Sequence, residues 1–134
     1  MAGMMQAPFA LPADSVETVI DLPMPPSTNR LWRSGRGRVY KSKQYLDWMD
    51  AADAHVMASR QFPKRKITGP FTIHIALNTL EGGDGDNRIK APLDWLQSRD
   101  IVRNDSDCVK GAWEWVEPAR APQGMRITLR SWHG

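Results

Sequence analysis

The segment Asp84-Gly85-Asp86-Asn87-Arg88-Ile89-Lys90 sets two carboxylates, an amide and an amine close together, directly after Gly82 and Gly83. Two aspartates one residue apart repel each other, and a divalent cation is the usual means of balancing them. Mg²⁺ takes one or two carboxylates and keeps waters that a phosphate-bearing substrate can displace. Asn87 can orient a carboxylate or a bound water. Lys90 lies one helical turn beyond Asp86, so both side chains can point to one mouth, where an amine would contact a scissile phosphate. Asp105 falls in a turn about one helix length downstream, which suits a helix that leaves the cluster and a chain that returns beside it. Three carboxylates with a lysine have the donor chemistry of a metal-dependent phosphodiesterase. Aspartates also serve commonly in turns and caps, and spacing by itself leaves both readings open. A calcium loop is excluded, because Arg88 and Ile89 fall where a ligand and a glycine are required and Trp95 where the bidentate glutamate belongs.

Bringing these residues together takes a strand before Gly82, a helix after Asp86 and a second strand after Asp105. The stretch "FTIHIALNTL" alternates as a strand does, with Phe71, Ile73, Ile75 and Leu77 on one face and Thr72, His74, Ala76 and Asn78 on the other. Asp86 is the expected N-cap of a helix from Asn87 to Ser98. Pro92 removes the hydrogen bond to the Arg88 carbonyl, which predicts a kink or an initial tight turn. "VRNDSDCVKGAWEWVEP" reads as a turn feeding a strand, and "GMRITLRSW" as a last strand. Upstream, "ETVIDLPM" is a first strand that Pro23, Pro25 and Pro26 end. "PPSTNRLWRSGRGR" reads as a loop in which Gly35 and Gly37 free the backbone and Arg30, Arg33, Arg36 and Arg38 supply positive charge. Ser42 caps a helix over "KQYLDWMDAADAHVMAS", whose stripe of Tyr45, Trp48, Met49, Ala52, Val56 and Met57 faces a core. The order predicts an α/β (α+β-like) fold, a mixed sheet of about four strands flanked by two main helices.

The chain has 134 residues, of which 41% are hydrophobic, enough for one domain with its own core. Residues 1–15 read as a flexible N-terminal tail and 16–134 as the single domain. Six tryptophans argue against disorder. A net charge of +3 fits either a soluble basic surface or a polyanionic partner. Cys108, the lone cysteine, forms no internal disulfide, and no neighbouring histidine marks it as a nucleophile. The N-terminus lacks a basic n-region, and no apolar run approaches the roughly 20 residues of a membrane span. A soluble cytoplasmic protein is expected, with no membrane association. His55, His74 and His133 show no metal spacing, and without a Walker-type loop no nucleotide cofactor is expected. "PKRKITG" offers a second short basic cluster, and Trp32 could stack on an exposed base. Trp48, Trp95, Trp113 and Trp115 are assigned to the core or a dimer seam.

"DGDNRIKAPLDWL" followed by "VRNDSDCV" resembles the pattern D-x-D-N-x-x-K-x-x-x-D-x-L with a downstream D-D-S-x-x-V, typical of the RusA family of Holliday junction resolvases. "LPMPPSTNRLWR" is similar to that family's opening P-P-S-x-N-R segment, and the motifs come in the family's order. The resemblance covers about Asp21 to the last strand. It implies that Asp84, Asp86 and Asp105 hold Mg²⁺, with Mn²⁺ as a substitute, with Lys90 as the essential basic residue and Asn87 in support. It further implies a homodimer acting on branched DNA, a four-way junction, through paired symmetric nicks that leave 5′-phosphate and 3′-hydroxyl ends. Asn29, Arg30, Arg33, Arg36 and Arg38, in or beside the opening motif, are the expected DNA contacts. Two departures stand out: Asn104 precedes Asp105 where the family often has an acid, and Ala91 separates Lys90 from Pro92. A branched-DNA-binding protein without turnover, and a nuclease for flaps or forks, are the rival readings.

Overall fold

The computed structural model describes residues 16–27, 32–35, 38–83 and 85–133, with the backbone alone for 32–35, 38–40, 86 and 87. The expected tail, 1–15, lies outside the described residues.

Strand β1 (Glu17–Pro23) opens the fold, followed by the short strands β2 (Trp32–Gly35) and β3 (Arg38–Lys41). Helix α1 (Lys43–Ser59), strand β4 (Phe71–Asn78) and helix α2 (Lys90–Ser98) come next, and β5 (Cys108–Val116) and β6 (Gly124–Ser131) complete it. The main sheet has the order β1-β6-β4-β5. β6 runs antiparallel to both β1 and β4, whereas β4 and β5 are parallel. This is the mixed four-stranded sheet with two helices that the alternation of strand and helix patterns predicts. The expected loop after the proline segment is corrected: β2 and β3 pair antiparallel with Gly35 opposite Arg38, so two residues join them. Glycines that read as loop freedom also suit a tight hairpin, and the Val39-Tyr40 pair beside them is strand-forming.

One face of the sheet makes the core. Ile20, Leu22, Phe71, Ile73, Ile75, Leu77, Ile127 and Leu129 are all at most 4% exposed. They pack with Tyr45, Trp48, Met49, Ala52 and Val56 of α1 and with Ala91, Trp95 and Leu96 of α2. Met57, expected in the α1 stripe, is instead 70% exposed. Ser42 caps α1 as predicted, its hydroxyl accepting from the Tyr45 N–H at 3.1 Å. The opposite sheet face is polar. There Arg126 meets Asp21 at 2.7 Å, Arg130 meets Glu17 at 2.6 Å and His74 meets Glu114 at 2.7 Å. Asp21 is 7% exposed; burial pushes its carboxyl up, but hydrogen bonds from Arg126 and Gln61 outweigh this and hold it below the usual range.

Polar bonds lock the two helices together. Tyr45 donates its hydroxyl proton to Asp94. Asp53 of α1 accepts from Trp95 Nε1 at 2.8 Å and from Arg99 Nε and Nη2 at 2.6 and 2.7 Å. This two-pronged bond from Arg99 holds the Asp53 carboxyl below its ordinary pKa, against an opposing effect of burial. A carboxyl depressed in the folded state stabilises above its unfolded pKa and loses that contribution as the pH falls through the folded one. Asp53→Asn is therefore expected to lower stability at pH 7 by about 1–3 kcal/mol in chemical denaturation. The gap between variant and parent should narrow below about pH 4. A gap that stayed constant down to pH 2 would show that the ion pair is not its source.

Candidate metal and phosphate site

The site grows out of the carboxyl end of β4. Asn78, 7% exposed, anchors that end. Its Oδ1 accepts from the Leu80 N–H at 2.8 Å, and its Nδ2 donates to the Ala121 carbonyl at 3.0 Å. Gly82 and Gly83 then turn the chain with φ of +65° and +87°, values that L side chains rarely adopt. Asp84 lies outside the described residues. Gly85–Arg88 form a 3₁₀ turn that carries the backbones of Asp86 and Asn87.

Two contacts seat this turn. Gly85 is buried against the Trp113 ring of β5, so closely that a Cβ at position 85 would lie 2.2 Å from Trp113 Cζ3. On the other side Arg88 Nη1 donates to the Pro25 carbonyl. The same proline segment is held from α1, where Trp48 Nε1 donates to the Pro23 carbonyl at 2.9 Å. The two motifs far apart in sequence are thus joined by one guanidinium. Arg88 Nε is buried without a hydrogen-bond partner among the described residues.

Asp86 is not the N-cap of the following helix, as the spacing suggested. The cap position of α2 is Ile89, which makes no side-chain cap bond. Pro92 explains the difference. A helix starting at Asn87 would need the missing Pro92 N–H to reach the Arg88 carbonyl, whereas a start at Lys90 places Pro92 in the first turn, where no intrahelical acceptor exists. The predicted initial tight turn is the 3₁₀ turn itself.

Lys90 is the first residue of α2 and is exposed, with no ion pair or hydrogen bond among the described residues. Asp105 stands at the other end of the helix. Its N–H donates to Gln97 Oε1 at 2.8 Å, and it opens the 3₁₀ turn Asp105–Asp107 that feeds β5. Lys90 and Gln97 are about 10 Å apart along the helix axis at 1.5 Å per residue. The Asp105 turn enters β5 at Cys108, opposite Phe71 at the start of β4. The Gly85 turn leaves the far end of β4 but folds back onto Trp113, opposite Ile75.

The acids of the second turn have different fates. Asp107 is taken by Arg103, whose Nε and Nη2 donate at 3.1 and 3.0 Å. The Asp105 carboxylate has no hydrogen bond or ion pair with a described residue. Asn104, where an acid is frequent in the resembling pattern, shapes the turn instead: its Oδ1 accepts from the Ser106 N–H at 2.9 Å and the Ser106 hydroxyl at 2.8 Å. Asp84, Asp86 and Asp105 together would make an all-oxygen donor set, which suits a hard cation such as Mg²⁺ or Mn²⁺. Among the described residues, which omit the Asp84 and Asp86 carboxylates, no group of three His, Cys, Asp or Glu is gathered for a metal. Burial, and the nearby Asp105 charge, push the Cys108 thiol up.

Of the expected DNA contacts, Asn29, Arg30 and Arg36 lie outside the described residues, as does the Trp32 side chain. Arg33 and Arg38 are placed by backbone only, on β2 and β3. In the second basic cluster Lys64 and Arg65 are exposed, while Lys66 pairs with Asp100. Sequence reasoning missed Arg88 and Trp113, and the glycine between the two aspartates was the available signal for the latter. No helix among the described residues is long and apolar enough to cross a membrane.

No curated protein matches the chain. The family model described as Endodeoxyribonuclease RusA matches residues 23–130, a span that holds the proline segment, the aspartate turn, Lys90 and Asp105. With both motifs joined through Arg88 and most of the length matched, the chain belongs to the RusA family of endodeoxyribonucleases.

Proposed function

We propose that the protein is a Mg²⁺-dependent, structure-selective endonuclease that resolves four-way (Holliday) DNA junctions as a homodimer in the cytoplasm. The observation that carries this is the family match across both motifs, together with an Asp105 carboxylate that no described cation neutralises. Asp84, Asp86 and Asp105 would hold the cation, and Mn²⁺ would serve in its place. Bound there, Mg²⁺ supplies a lowered pKa for the attacking water and charge stabilisation at the phosphate.

The chain's own residues do the rest. Lys90, exposed at the helix start, would bind a non-bridging oxygen of the scissile phosphate and offset the charge that grows there, aided by the partial positive charge of the helix amino end. Asn87 would orient the water. In-line attack forms a bond from the water oxygen to phosphorus and breaks the bond to O3′, which takes up a proton. The products are a 5′-phosphate and a 3′-hydroxyl. Arg33 and Arg38 on the β2–β3 hairpin, with Asn29, Arg30 and Arg36, would grip the DNA backbone. β5 supports the dimer: it is an edge strand, with Val109 50% exposed. Two copies related by a two-fold axis would nick opposing strands of a junction that shares that symmetry.

An end-labelled synthetic junction, with linear duplex as control, tests this. Paired nicks are expected in Mg²⁺ and none in EDTA, with the duplex spared. Asp86→Asn should abolish cleavage while junction binding in EDTA is kept or strengthened, because less negative charge faces the phosphates. Tight binding with no cleavage by the parent protein in Mg²⁺ or Mn²⁺ would establish a binding protein instead, and cleavage of flaps or forks in preference to junctions would redefine the substrate.

The two acids of the second turn separate function from structure. Asp105→Asn should reduce cleavage by about a hundredfold or more, and Lys90→Ala by about 10²–10³-fold. Asp107→Asn should leave cleavage within a few-fold, because its carboxylate is already held by Arg103 and has no part in the metal set. Equal losses from Asp105→Asn and Asp107→Asn would remove Asp105 from the metal set.

A further inference from the structure

We infer that Trp113 is a positioning residue for the aspartate turn, its indole filling the space beneath Gly85 and so seating the 3₁₀ turn Gly85–Arg88 that carries the Asp86 backbone. The inference rests on the metal-site reading above. Three atoms of the ring, Cζ3, Cη2 and Cε3, lie 2.2, 2.5 and 2.6 Å from where a Cβ at position 85 would sit. Only glycine lets the turn settle on the ring this closely. The ring itself is fixed from below: Trp113 pairs with Ile75 in the parallel register of β4 and β5, and its ring meets Trp115 edge-on with centroids 6.3 Å apart.

Core packing does not account for this tryptophan. It is 40% exposed, whereas Trp95 is fully buried with its N–H satisfied. An indole left half in water on an edge strand serves the surface it supports. Arg88 holds the same turn through Pro25, so the 3₁₀ turn Gly85–Arg88 is clamped between β5 and the proline segment. The clamp matters because adjacent carboxylates repel. A loose turn would let them splay apart, and a cation would then have to gather them at a cost in ordering; a turn seated in advance removes that cost.

The test is a double-mutant cycle read in metal affinity. Mn²⁺ binding to the full-length protein is measured by calorimetry without DNA, and the Mg²⁺ concentration for half-maximal junction cleavage is measured alongside. Trp113→Ala and Gly85→Ala should each weaken metal binding by about 10–100-fold, the range found for residues that orient metal ligands. The double variant should be no worse than Trp113→Ala alone, because the new methyl enters the space that the ring vacated. Junction binding in EDTA and the cooperative unfolding transition should be unchanged within two-fold and a few degrees. Multiplying losses in the double variant would overturn the inference. So would a tenfold loss of junction binding in EDTA with metal affinity intact, which would make Trp113 a DNA contact. If the parent protein binds Mn²⁺ and Trp113→Ala binds it equally well, this inference alone fails. If the parent binds no Mn²⁺ and cuts nothing, the metal-site reading fails with it.

Discussion

The parallel pairing of β4 with β5 is the constraint on which the candidate site depends. Parallel neighbours cannot be joined by a tight turn; the chain must leave one end of the sheet and cross back to the other, and a helix is the usual way. Asp84, Asp86, Lys90 and Asp105 all lie in this one crossover. The helix must bury Ala91, Pro92, Trp95 and Leu96 against the sheet. That burial orients the whole connection, bringing Lys90 out at its start and Gln97 to the Asp105 amide at its end. Chemistry and topology are thus carried by the same stretch of chain.

Structural and candidate functional acids differ in how they are neutralised. Asp21 ties Arg126 and Gln61, and Asp53 ties Arg99 and Trp95. Asp94 accepts from Tyr45, and Asp107 from Arg103. Each has a donor because a buried or half-buried carboxylate without one would be costly. Asp105 has none among the described residues, although it sits two positions from Asp107 in the same turn. Local sequence cannot tell these two acids apart. The direction from which Arg103 and Gln97 approach does so, and that direction is set by the end of α2 and by the bridge of Ile67 to Val102.

Much of this was legible in the residues. Alternation marked β1, β4 and β6, and the spacing of Tyr45, Trp48, Met49, Ala52 and Val56 marked α1 along with its serine cap. These patterns are readable because burial on one face imposes a period on the chain. The β2–β3 hairpin was not, since a short arginine- and glycine-rich stretch has no apolar period to display. Asp86 was misread as a cap because a good capping residue stood near a helix start, while the start itself was moved to Lys90 by Pro92. The Arg88 side chain has no role in the sequence reading, where only its position in a calcium loop and its carbonyl opposite Pro92 count. Its partner, a proline carbonyl, carries no sequence signal at all.

By itself the sequence determined the family pattern: two aspartates in a glycine-rich turn, an amine four residues beyond the second, and a proline segment upstream. It determined this because ligand chemistry follows residue type, and local spacing survives in any fold. The tertiary structure decided which contacts hold the turn, namely the Trp113 ring beneath Gly85 and the guanidinium of Arg88 on Pro25. It also decided that Asp107 is neutralised by Arg103 while the Asp105 carboxylate has no partner among the described residues. Those outcomes depend on which distant residues the packed sheet and helix bring within 4 Å, and no period or spacing along the chain encodes that.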